Sequence, residues 1–166
     1  MFEQHQDTTQ YEQNGQTHSQ MTSSQEKPHD YREAIDLLAS KIRGELILPG
    51  NPAYEAGRKV WNGSFDGYPT AIVQCADAED VQTTVNVARE YGMLLSVRSG
   101  GHSAAGHGTN TGGLVIDLSQ MKTITVDPIR HTARLEPGLT WGEVAKTLQP
   151  LGLAITAGDV ASVGVG

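Results

Sequence analysis

The sequence predicts an α+β domain in which helices and strands do not strictly alternate. Three observations predict it: a strand-helix-strand pattern between Thr70 and Val97, a series of short β-prone segments from Leu114 to Glu136, and a further helix signature at Thr140 to Glu143. A chain of 166 residues with 37% apolar and 19% charged side chains has the balance of one ordinary globular core.

Residues Met1 to Asp30 carry seven glutamines and almost no aliphatic side chains, so they bury too little surface to offset the entropy of ordering. They are expected to be a disordered, Gln-rich tail, with the folded domain spanning 31–166. Ala34, Ile35, Leu37, Leu38 and Ile42 then recur at helical spacing, and Gly44 ends the run. Asn51-Pro52 opens a second short helix expected over Ala53 to Trp61, after which Gly63, Gly67 and Pro69 impose a loop.

Ala71 to Cys75 is a short apolar strand. Asp77 and Asp80 form a capping arrangement for a helix that carries Val81, Val85 and Ala88 on one face and closes at Gly92. Leu94 to Val97 is the next strand, reached by a crossover long enough for parallel pairing. Leu114 to Leu118, Thr123 to Val126 and Thr132 to Glu136 follow as short strands between Ser, Asp and Pro turns, the pattern of an antiparallel meander. Thr140-Trp141-Gly142-Glu143 reads as a capping box for a helix stopped by Pro150, and Leu153 to Thr156 as a last strand.

The net charge of −7, with twelve basic residues scattered along the chain, argues against a nucleic-acid partner. The single cysteine, Cys75, excludes an internal disulfide framework and reads as a small buried hydrophobe. No stretch has the apolar length of a membrane-spanning helix, and the first twenty residues lack a basic and an apolar leader region, so a cytoplasmic location is the expectation.

The chemistry concentrates in residues 98–113, which follow a strand and hold six glycines and two histidines. Glycines let successive amides point into one concavity and let a bulky anion approach the main chain, which suits a dinucleotide or phosphate ligand. A glycine-rich surface loop without a ligand fits the same residues. Arg98 either adds charge to such a site or forms a structural ion pair. Neither a P-loop nor a Rossmann glycine spacing is present. His107 reads as a solvated loop residue, and His102 with His107 lacks the partners of a metal site.

Arg98-Ser99-Gly100-Gly101-His102-Ser103 resembles the flavin-attachment loop of the PCMH-type FAD-binding domain, the fold of the vanillyl-alcohol oxidase, berberine bridge enzyme and 6-hydroxynicotine oxidase group. The likeness extends over roughly residues 50–166. It includes Tyr68 to Val73, the helix from Asp77 to Gly92, Gly113 to Ser119 with Met121, Pro137-Gly138, Trp141 to Val144 and Gly152 to Ala154. The resemblance implies FAD as cofactor, with Arg98, Ser99, Gly100, Gly101, His102, Ser103 and Gly106 wrapping its pyrophosphate. It also implies that an imidazole nitrogen of His102 is bonded to the 8α carbon of the flavin; a histidine that only caps the loop is the other reading of that residue.

Gly158 to Gly166 resembles the family's second flavin loop, so Gly158, Asp159, Val163 and Gly164 are expected to contact the cofactor. Val160 stands where bicovalent members carry a second attachment cysteine, so any linkage runs through His102 alone. The family's substrate domain and catalytic base lie beyond the residues matched here, and the chain is expected to be an N-terminal fragment with no assignable catalytic residue. The implied parent reaction is hydride transfer from a small organic substrate to flavin N5, with dioxygen as acceptor. A non-catalytic flavin-binding module is the alternative.

Overall fold

The computed structural model describes residues 30–166, so the expected Gln-rich tail lies outside the described residues but for Asp30. Helix α1 (Arg32–Lys41) leads into strand β1 (Glu45–Ile47), helix α2 (Tyr54–Gly57), strand β2 (Ala71–Gln74), helix α3 (Ala78–Glu90), strand β3 (Leu95–Arg98) and strand β4 (Leu114–Asp117). Strands β5 (Ile124–Asp127) and β6 (Thr132–Leu135), helix α4 (Trp141–Leu148) and a 3₁₀ turn at Gln149–Leu151 complete the order.

The main sheet runs β1-β2-β4-β3, with β4 parallel to both neighbours and β1 antiparallel at the edge. A central parallel strand is covered on both faces, and β4 is buried along its whole length. The period of two divides the side chains between two layers. Ala71, Val73, Leu114 and Ile116 pack with Ala34 and Leu38 of α1 and Val87 and Ala88 of α3. On the opposite face Ile72 and Val115 meet Ile47 and Tyr54. Full burial of Leu38, Ile72 and Ile116 contributes about 1.5–3 kcal/mol each relative to exposure. A smaller core joins Val144 and Leu148 of α4 to Ile124, Val126 and Leu135 of the β5-β6 hairpin.

The caps follow the sequence in part. Asp77 accepts the amides of Glu79 and Asp80. Asp80 does not return to the helix cap; its buried carboxylate accepts the amides of Arg43, Gly44 and Ala76, tying the α1-β1 turn to the entrance of α3. Burial alone would raise the Asp80 pKa, but these three amides and Arg43 hold it below its ordinary value. At α4, Thr140 and Glu143 form the reciprocal capping box.

Three expectations are corrected, and one element goes beyond them. Leu114 to Leu118 is no part of a meander: β4 inserts between β2 and β3 as a parallel strand, and of the three strands expected in the meander β5 and β6 alone pair with each other, antiparallel. The second helix ends at Gly57 rather than Trp61, because Arg58 turns to Asp66 and the Gly67 carbonyl and the Trp61 amide donates to Gly101. Leu153 to Thr156 has no ladder partner among the described residues and forms no strand. Strand β1 was not anticipated; its signal, Leu46-Ile47-Leu48 before Pro49-Gly50, is too short for periodicity to register.

Candidate functional site

Strand β3 delivers the chain to the glycine-rich loop, and Arg98 fixes the point of departure. Its guanidinium is buried and pairs with Asp117 at the end of β4 at 2.7 Å, while a second nitrogen donates to the Lys59 carbonyl at 3.2 Å. Of the two readings the residues allowed, the ion pair is the one present. The aliphatic stem of Arg98 lies beneath Gly101 and Gly108, forming part of the loop's floor.

Residues 58–66 form the other supporting wall, a part of the site that sequence reasoning passed over as a loop. The Trp61 amide donates to the Gly101 carbonyl at 3.0 Å and the Asn62 side chain to the Ala104 carbonyl at 3.1 Å. Phe65 covers Gly106, whose φ of +74° suits glycine and where a Cβ would collide with the ring. Arg58 locks this wall: it is buried, pairs with Glu55 and Asp66, donates to the Gly67 carbonyl and lies over the Tyr68 ring at 3.9 Å. Lys59 and then Arg58 hold the Asp66 carboxyl well below the usual carboxylate range. Only a paired cation and aromatic around 58–68, Arg58 with Tyr68, could have signalled this in sequence.

Held on that floor, the loop keeps its main chain available. Among the described residues, the backbone amides of Gly100, Gly101, His102 and Ser103 donate no hydrogen bond. Consecutive amides without internal partners form an anion-binding surface. Ser103 is turned to the loop itself, its carbonyl accepting the Gly106 amide and its hydroxyl the exposed His107 amide. The half-buried His102 ring stacks on Trp61, with centroids 5.6 Å apart and planes inclined by 19°.

The second glycine-rich run, residues 158–166, arrives beside the first. Ser99 donates through its hydroxyl to the Pro137 carbonyl and accepts the Gly166 amide at 3.3 Å. Gly100 and Gly164 touch main chain to main chain. The run is anchored to α4, because Trp141, Gly142 and Val165 donate to the carbonyls of Val163, Ala161 and Leu139 at 2.9–3.0 Å. The first-turn amides of α4 are therefore occupied, and the helix end offers no free anion site. Gly158 packs against Val163 and Trp141, whereas Asp159 and Val160 face solvent.

The donors present thus fit a pyrophosphate held by main chain, with an imidazole at the loop's centre. Cys75 does not take part: it is fully buried in the core, and burial followed by the Asp80 charge pushes its thiol up to about 12. Among the described residues no three His, Cys, Asp or Glu side chains converge as metal ligands, and no helix is long and apolar enough to cross a membrane.

Residues 69–166 match the family model described as an FAD binding domain. The (R)-6-hydroxynicotine oxidase of Paenarthrobacter nicotinovorans is 37% identical over 123 residues, covering 74% of this chain and 27% of that protein. The solved structure of 6-hydroxy-D-nicotine oxidase from Arthrobacter nicotinovorans superposes with a TM-score of 0.72 at 37% identity, covering 74% of this chain and 27% of the other. The xylooligosaccharide oxidase from Myceliophthora thermophila, solved with xylobiose, gives 0.73 at 32% identity over 80% of this chain and 29% of its own. The chain spans less than a third of the length of these relatives.

Proposed function

The chain belongs to the FAD-binding-domain family of 6-hydroxynicotine oxidase-like and berberine-bridge-enzyme-like oxidoreductases, and on that premise we propose that residues 31–166 form the part of an FAD oxidoreductase that binds the cofactor's pyrophosphate and anchors its ring covalently. FAD, the cofactor of this family, supplies a two-electron acceptor for a hydride from a carbon of a small organic substrate. One observation carries the reading: the unpartnered amides of residues 100–103 begin at Gly100, which lies directly against the Val163-Gly164 main chain, so that two glycine-rich runs meet at one place.

In this reading the amides of Gly100, Gly101, His102 and Ser103 bind the pyrophosphate oxygens, as a rigid array of donors that needs no lysine. Arg98, Ser99 and Gly106 hold the loop in that shape. Gly158, Asp159, Val163 and Gly164 line the ribityl side. His102 would bond to the flavin 8α carbon through its unprotonated imidazole nitrogen, with the proton of the other ring nitrogen and one from the 8α methyl released. FAD would supply the electron sink for this attachment as for the substrate's hydride, with dioxygen as the final acceptor of each electron pair. The relatives act on hydroxynicotine and on xylooligosaccharide, in the words of their names; a small organic substrate, admitted by the portion of the protein that they carry beyond the matched quarter, is part of the proposal.

The test is a denaturing gel of the purified chain after incubation with FAD in air. Flavin fluorescence should travel with the protein band and be missing from His102→Ala. A fluorescent band in that variant would exclude His102 as the anchor. Flavin that binds in native buffer but leaves on denaturation would favour a non-covalent flavin-binding module instead.

A further inference from the structure

His102 is restrained by a ring and not by hydrogen bonds. Among the described residues neither imidazole nitrogen has a hydrogen-bond partner, and its ring contact is the near-parallel indole of Trp61 at 5.6 Å. Trp61 also donates its amide to the carbonyl of Gly101, the residue before His102. One residue therefore restrains both the main chain leading into His102 and its side chain. Burial does not explain the indole's place, since Trp61 is 69% exposed.

We propose that Trp61 is the positioning residue for the attachment histidine. A histidine on a glycine-rich loop samples several side-chain wells, and an offset-stacked partner selects one of them. Stacking occupies a face of the imidazole and leaves both edge nitrogens free, which a hydrogen bond would not. The unprotonated nitrogen that forms the bond to the 8α carbon is thereby oriented before the cofactor arrives; the other nitrogen and the 8α methyl each give up a proton, and the electron pair passes through the flavin to dioxygen. The effect falls on the rate of bond formation, because orientation acts on the reacting atoms. FAD affinity depends on the amides of 100–103, which the indole does not supply. This inference rests on the covalent reading above.

The experiment compares the full 166-residue chain with Trp61→Leu, Trp61→Phe and His102→Ala. None of the substitutions at position 61 removes the amide that binds Gly101, so they isolate the ring. FAD affinity is measured by equilibrium quenching of flavin fluorescence, and attachment by the fluorescence of denatured protein over time. Trp61→Leu should attach flavin about 2- to 10-fold more slowly at saturating FAD, the range expected for one aromatic pair, with affinity unchanged. Trp61→Phe should recover most of the rate.

Proton NMR without FAD supplies an independent readout: the His102 ring protons should lie upfield in the wild-type chain and shift downfield in Trp61→Leu. Wild-type attachment rates in Trp61→Leu, equal slowing in Leu and Phe, or a parallel loss of affinity and rate would overturn the proposal, as would unshifted His102 protons in the wild type. A wild-type chain that attaches no flavin, or a His102→Ala chain that does, identifies failure of the covalent reading itself.

Discussion

Gly100 and Gly164 lie in main-chain contact, so close that a Cβ built on Gly100 would stand 2.5 Å from the Gly164 nitrogen. This single approach joins the loop after β3 to the run after α4, and the proposed cofactor surface exists only where they meet.

Alanine at Gly164 is therefore expected to force two backbones apart. Thermal unfolding should show a loss of about 1–3 kcal/mol, the usual cost of overpacking, together with weaker FAD binding. Gly63, whose Cβ would meet nothing within 4 Å, provides the control: Gly63→Ala should stay within about 0.5 kcal/mol of the wild type.

The Arg98-Asp117 pair joins adjacent strands with side chains only 8% and 6% exposed. Arg98→Met leaves a buried carboxylate with the Ser119 amide but without its cation and should cost about 3–5 kcal/mol in urea unfolding. The double variant Arg98→Met/Asp117→Leu should recover much of that, since the penalty belongs to the orphaned charge and not to the absence of the pair. If Arg98 instead served mainly as a phosphate ligand, its loss would weaken FAD binding while leaving the unfolding midpoint in place.

Lys122, then the Thr140 amide, hold the Glu143 carboxyl at about 2 against an ordinary 4.5. A depressed carboxylate stabilises the fold fully above pH 4.5, and its contribution disappears as pH falls toward 2. The side chain is 39% exposed, so solvent screening keeps the effect below about 1 kcal/mol. Glu143→Gln should accordingly be less stable than the wild type at pH 7, with the difference closing as the midpoints are followed down to pH 2.

Cys75 should resist thiol reagents in the native state. It is fully buried, and burial pushes its thiol up to about 12, so thiolate and access are both lacking. Labelling with an aromatic disulfide should proceed at the rate of unfolding and become immediate in denaturant. Rapid native labelling would mean that the face of the sheet toward α1 and α3 opens readily.

Elements with a strong local signal were legible from residues alone. The apolar run at 71–75, the extent of α3 and the reciprocal caps at Thr140 and Glu143 are determined by neighbours within a few positions, although α3 buries Thr84, Val87 and Ala88 and leaves Val85, expected on its apolar face, exposed. Strand order was not, because β2, β3 and β4 are all short β-prone runs and nothing local says that β4 enters between the other two. The expected strand at Leu153 to Thr156 failed for the same reason: β-propensity needs a partner, and none of the described residues supplies one.

At the proposed site, the sequence by itself determined which parts are present: a loop from Arg98 to Ser103 rich in glycine with one central histidine, and a second glycine-rich run at 158–166. Only the tertiary structure decided how those parts are used. It turned Arg98 inward to Asp117, brought Trp61 onto His102, and set Gly164 against Gly100. Each of these joins residues 19 or more positions apart, so no local preference encodes them; they follow from which strands pair and how the loops close over the sheet.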